Sequence, residues 1–137
     1  MSREHKKIIV QRNLKSLAMV REEVRRFLRA QALSWRDESR MVLAVDEAVS
    51  NIIVHNNSEP NLAPIEVELR RVDGTVEVVI RDNGRKFNPR KKWPPKLEPG
   101  NKRLGLYIIS KAADEVRYRF VAREYNELTL VKRTRER

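Results

Sequence analysis

The sequence predicts an α+β two-layer sandwich, a mixed but mostly antiparallel sheet with helices on one face. Three observations predict it. Strand-like segments alternate apolar with charged residues, so each offers one apolar and one charged face. Two longer segments carry apolar residues at helical spacing. The elements follow the order β-α-α-β-β-loop-α-β-β, which lets the strands gather into one sheet whose apolar side the helices cover.

Lys7 to Gln11 read as a short strand. Leu14, Leu17, Val20, Val24, Phe27 and Leu28 then recur at helical spacing through about residue 31. A second helix is expected from Trp35 to His55, opened by Ser34 as N-cap, and Pro60 and Pro64 end that region. Ile65, Val67 and Leu69 alternate with Glu66, Glu68 and Arg70. Val76, Val78 and Ile80 alternate with Glu77, Val79 and Arg81, so the two runs form a hairpin turned at Asp73-Gly74. A short helix starts at Gly105 and runs through Leu106-Tyr107-Ile108-Ile109 to about Ala113. Val116, Tyr118 and Phe120, then Leu128 and Leu130, alternate with their neighbours as two further strands.

The 137 residues fit one domain over 1–137. With 40% hydrophobic and 36% charged residues, a modest core lies under a heavily charged surface. The lack of cysteine excludes disulfides, thiolate zinc sites and a cysteine nucleophile, and the 2 histidines are too few for an imidazole-rich metal site. No apolar run reaches the roughly 18 residues of a membrane span, so a soluble, cytoplasmic protein with no membrane partner is expected.

The net charge of +11 favours anionic partners. It is unevenly spread: +6 over residues 1–34, −5 over 35–82 and +10 over 83–137. Residues 83–103 alone carry +7, and Pro89, Pro94, Pro95 and Pro99 forbid a regular helix or central strand there. Such a long basic loop is either a functional lid or a solvated linker. Aromatic residues make up only 6% and no recognition motif is present, which points away from direct nucleic-acid binding.

On the second helix, Met41, Val42, Val45, Val49, Ile52 and Ile53 form a broad apolar face. Glu47 and Asn51, one turn apart, stack on the opposite side with Ala44 and His55 nearby. No Lys or Arg occurs from Met41 to Leu69, so neither Asp46 nor Glu47 has a cationic partner at helical spacing. Glu47 is then either a base or cation-serving carboxylate, or a surface residue. Period two puts Asp82 on the core face with Val76, Val78 and Ile80, ahead of Asn83-Gly84. There it either accepts a hydrogen bond from an exocyclic amine such as that of adenine, or caps the turn. Together these groups suggest a nucleotide site, with adenine at Asp82, metal at Asn51 and phosphates at the basic loop and the next helix start.

These residues resemble the GHKL ATPase superfamily, in its branch of anti-sigma-factor serine kinases of the RsbW and SpoIIAB type. Leu43 to Asn56, LAVDEAVSNIIVHN, is similar to that branch's N-box. Arg81 to Pro89, RDNGRKFNP, is similar to the first glycine box, and Leu104 to Val116, LGLYIISKAADEV, to the second with its following helix. The resemblance implies the Bergerat fold, a single histidine-kinase-like ATPase domain, and ATP and Mg²⁺ as cofactors. The basic loop at about 85–103 would be its ATP lid. It implies Glu47 as general base toward a protein serine, Asn51 as the Mg²⁺ ligand and Asp82 as the adenine-reading carboxylate. Gly84, Phe87, Gly105 and Leu106 fall within the nucleotide-binding boxes, and Lys102 or Arg103 would offset γ-phosphate charge. The implied partners are a sigma factor, a STAS-type anti-anti-sigma antagonist and a second copy of the chain as homodimer. Arg103 stands where the second box begins with Gly, and Asn56 where another Gly is expected. Tyr125-Asn126 stand where a Gly-Thr pair helps bind adenine, so that Asn126 takes part of that contact. A GHKL module that binds nucleotide and regulates through protein contacts, with little or no phosphotransfer, is the alternative.

Overall fold

The computed structural model describes residues 4–55, 62–84 and 104–134. The chain runs β1 (His5–Val10), a 3-10 turn (Leu14–Ser16), α1 (Leu17–Arg29), α2 (Trp35–His55), β2 (Ile65–Val72), β3 (Thr75–Asp82), α3 (Leu104–Ala112), β4 (Glu115–Val121) and β5 (Tyr125–Arg133). The five strands form one sheet in the order β1-β2-β3-β5-β4. All four pairings are antiparallel, so the sheet is the mostly antiparallel one that the sequence predicts, without a parallel pair. The reason is the connection after β3: α3 carries the chain to the edge strand β4, and a hairpin then returns β5 beside β3.

The expected α2 bounds are met, and Ser34 Oγ accepts the Asp37 amide at 3.1 Å as an N-cap does. The first helix is shorter than predicted, opening as a 3-10 turn and ending at Arg29. Asp73 takes the left-handed conformation (φ 52°) that a tight hairpin ahead of Gly74 requires.

The core lies between the sheet's inner face and the helices, with Leu28, Met41, Val45, Leu69, Ile80 and Leu130 fully buried. Ala44 and Ala48 are buried as well, although the helical pattern sets Ala44 among polar residues. Their small side chains let α3 pack closely along α2. One helix therefore meets α1, the sheet and α3, and only part of its polar face stays open.

The outer face of the sheet is cross-linked by charge. Arg81 holds Glu66 at 2.7 Å, Glu68 at 2.9 Å and Glu127 at 2.8 Å, and Arg119 also donates to Glu127 at 2.5 Å. Burial alone would raise the Glu127 and Glu68 carboxyls, but the donated hydrogen bonds outweigh it and both lie below their ordinary value. Among the described residues, no helix is long and apolar enough to cross a membrane.

Candidate active site

Two groups of polar side chains lie on the helix side of the sheet. The first sits where α3 crosses α2. Glu47 and Asn51 are half-buried there, one turn apart. Gly105, the second residue of α3, lies against both: a Cβ at that position would stand 2.9 Å from Glu47 Oε1 and 3.1 Å from Asn51 Nδ2. Close approach, and not backbone strain, is what requires glycine here.

Asp46 does have a cationic partner, supplied by α1: Arg21 Nη1 donates to its Oδ1 at 2.8 Å. Helical spacing within α2 could not reveal a pair made between two helices. Among the described residues, no ion pair engages the neighbouring Glu47 carboxylate. Asp46 is thus committed to structure, and Glu47 lies instead against Gly105.

The donor set suits a hard cation such as Mg²⁺. Among the described residues, no cluster of three His, Cys, Asp or Glu could hold a metal unaided. A site offering one or two oxygens matches an ion that keeps several waters and takes phosphate oxygens from its substrate. Asn51, with Glu47 beside it, fits that need.

The second group lies at the ends of β3 and β5, whose register sets Asp82 opposite Asn126. Both are buried, each 6% exposed. Asp82 Oδ1 accepts the Gly84 amide at 2.7 Å, so the carboxylate does cap its turn. Oδ2 receives the Asn126 amide at 3.5 Å, and that amide also reaches the Gly84 carbonyl at 3.4 Å. The Tyr118 hydroxyl donates to Asn126 Oδ1 at 2.5 Å, which fixes the amide's orientation. Capping thus engages one oxygen, and the other remains able to accept from a ligand.

The structure therefore joins Glu47, Asn51 and Gly105 in one group, and Asp82, Gly84 and Asn126 in another. Leu106 is half-buried and packs against the core. Phe87, Lys102, Arg103 and Asn56 lie outside the described residues. Sequence reasoning misses two members of the second group, Tyr118 and Arg12. Arg12 lies 3.5 Å from Asp82 Oδ1. Strand parity could have found both, since Arg12 follows the inward-facing Val10 by two residues and Tyr118 pairs with Leu128 across the β4–β5 hairpin.

A family profile described as a histidine kinase-like ATPase domain matches residues 10–132. Among solved structures, the chain is similar to the RsbU and RsbW domains of Rv1364c from Mycobacterium tuberculosis, at 21% identity and a TM-score of 0.70. That match covers 94% of this chain and 32% of the other, so this chain spans about a third of that chain's length. It is also similar to a chain of the SiaB-SiaC complex from Pseudomonas aeruginosa, at 16% identity and a TM-score of 0.71, covering 92% of this chain and 88% of that one. At such identities the likeness is one of fold. No curated protein sequence matches the chain.

Proposed function

The chain belongs to the histidine kinase-like ATPase domain family, and from that premise we propose that it is a Mg²⁺-ATP-dependent serine kinase that acts as an anti-sigma factor. Its substrate is a serine of a STAS-type anti-anti-sigma antagonist, and it works as a homodimer in a partner-switching system. The observation that carries the reading is the close approach of Gly105 to both Glu47 and Asn51 where α3 crosses α2. The fold likeness to an RsbW domain and to a chain of a two-protein complex supports a role exercised through protein partners.

In this reading Asp82 accepts a hydrogen bond from the adenine amino group, with Asn126 and Gly84 holding the carboxylate in place. Glu47 receives the serine hydroxyl proton as the serine oxygen bonds to the γ-phosphorus. The bond from that phosphorus to the β,γ-bridging oxygen breaks, and ADP leaves with the electron pair. Asn51 would hold Mg²⁺, which would supply positive charge to the phosphate oxygens. Gly105 keeps the start of α3 close against Glu47 and Asn51, and Lys102 or Arg103 offsets charge on the transferring group.

Glu47→Ala is expected to keep Mg²⁺-ATP binding and to lose phosphotransfer to the antagonist by about 10²-fold or more, the usual contribution of a positioned base. Unchanged transfer would reject Glu47 as the base. The Arg103 substitution in the second box favours the second reading, a nucleotide-binding regulator without transfer. Wild-type protein that binds Mg²⁺-ATP yet phosphorylates no antagonist would decide for it.

A further inference from the structure

The solvent side of α2 carries a stripe that the chemistry just described does not use. Steps of four and three residues from Arg36 through Arg40, Leu43, Glu47 and Ser50 to Val54 place all six on one helical face. The Arg21–Asp46 pair sets α1 on one flank of that face, and Gly105 sets α3 on the other. Leu43, one turn before Glu47, is 46% exposed, and Val54, two turns after it, is 53% exposed. Arg36 and Arg40 are exposed too, and neither forms an ion pair among the described residues. Arg21, Arg26 and Arg29 of α1, by contrast, each hold a carboxylate. Arg36 is moreover the second residue of α2, in the first turn, where the helix dipole disfavours a cation. The two acids of that turn are already engaged, Asp37 by Lys132 at 3.6 Å and Glu38 by Arg29 at 3.1 Å. A cation set against local preference and left without a partner points to a task outside the fold.

Resting on the reading of Glu47 as the base toward a protein serine, we propose that this stripe is the docking face for the serine-bearing protein. Arg36 and Arg40 receive carboxylates of that partner, and Leu43 packs on one of its apolar side chains. Glu47 lies within the stripe, so a protein that brings a hydroxyl to its carboxylate lies along this face of α2. With α1 and α3 on the two flanks, the approach left between these helices is over the stripe. The partner's chemistry follows: an acidic, partly apolar surface beside the acceptor serine. Its orientation is fixed as well, because a partner turned end for end would set its acids against Glu47. Exposed charge of this kind acts on encounter and register. The stripe therefore governs the KM for the protein acceptor, and kcat and nucleotide binding stay with the groups described above.

The test offers the full chain, with radiolabelled Mg²⁺-ATP, each STAS-type protein encoded in the same genome, and follows the rate on those it labels. The double variant Arg36→Glu/Arg40→Glu is expected to raise the KM for the acceptor about tenfold with kcat unchanged. Its Mg²⁺-ATP affinity should be unchanged and its Tm unchanged or slightly raised, since a cation leaves the first turn. Leu43→Ser should raise the same KM severalfold. Added salt should raise the KM of wild type and leave that of the double variant nearly flat. An unchanged KM in the double variant would overturn the proposal, while labelling by wild type would leave the kinase reading standing. A wild-type KM that does not respond to salt would overturn it without any variant having to fold. A double variant that loses self-association in sedimentation at an unchanged KM would give the face to a second copy of the chain and overturn it too. If wild type labels no STAS-type protein, the kinase reading falls and the proposal with it.

Discussion

Replacing Gly105 by alanine should separate the function of the α2–α3 crossing from its stability. The added Cβ would meet Glu47 Oε1 at 2.9 Å and Asn51 Nδ2 at 3.1 Å, where ordinary contact begins at 3.4 Å. The carboxylate must therefore retreat by about 0.5 Å and the amide by about 0.3 Å. Both atoms are the free ends of side chains, so the strain is small, and alanine offsets it through better helix propensity, worth up to about 1 kcal/mol. The unliganded protein should melt at an unchanged or slightly higher temperature. The site has less tolerance, because constellations of this kind work only within about 0.5 Å of their productive geometry. We expect Mg²⁺-ATP affinity to fall about tenfold and phosphotransfer to fall further. Thermal melting with and without Mg²⁺-ATP reads both effects. At a ligand concentration of about 100 times the wild-type Kd, stabilisation of about 2.7 kcal/mol in wild type should shrink by about 1.3 kcal/mol in the variant. Undiminished stabilisation by ligand would refute the reasoning. So would a free protein weakened by several kcal/mol, since that would make the contact a packing element and not part of a binding site.

Ser34→Ala removes the acceptor for the Asp37 amide and should cost about 1 kcal/mol in urea denaturation. Arg123 holds a left-handed backbone at φ 58°, so Arg123→Gly should stabilise the β4–β5 turn by up to about 1 kcal/mol, read as a raised Tm. The Glu68 and Glu127 carboxyls are held below their ordinary value of 4.5 by Arg81, His5 and Arg119 against the opposing effect of burial. Their folded pKa values lie below the unfolded ones, so their contribution is fully present above about pH 4.5 and is lost as pH falls through the folded values. Glu127→Gln should lower stability at neutral pH and flatten its decline below pH 4.5 in a denaturation series. An unchanged acid limb would show that this network is not what acid breaks.

Much of this fold is legible from residue pattern alone. The Asp73-Gly74 hairpin, the 21-residue helix and its Ser34 cap follow from period two, period 3.6 and local turn chemistry. The burial of Ala44 and Ala48 is not, because small residues carry little hydrophobic signal and their role depends on α3, some sixty residues away. The Arg21–Asp46 pair escapes for a similar reason: its spacing along the chain reflects the packing of two helices and not the pitch of one. Asp82 shows how far parity reaches. Its place on the inner face is readable, yet sequence alone does not show that capping by Gly84 engages one oxygen while the other, 3.5 Å from the Asn126 amide, keeps acceptor capacity. Arg12 lies beyond the last residue of β1, where strand parity still applies although the strand has ended.

Calorimetric titration of Mg²⁺-ATP into the full chain, with Asp82→Asn in parallel, tests the central claim most directly. The account predicts binding by wild type that depends on Mg²⁺ and that the substitution removes. Failure to bind at millimolar nucleotide, or equal binding by the variant, would contradict it.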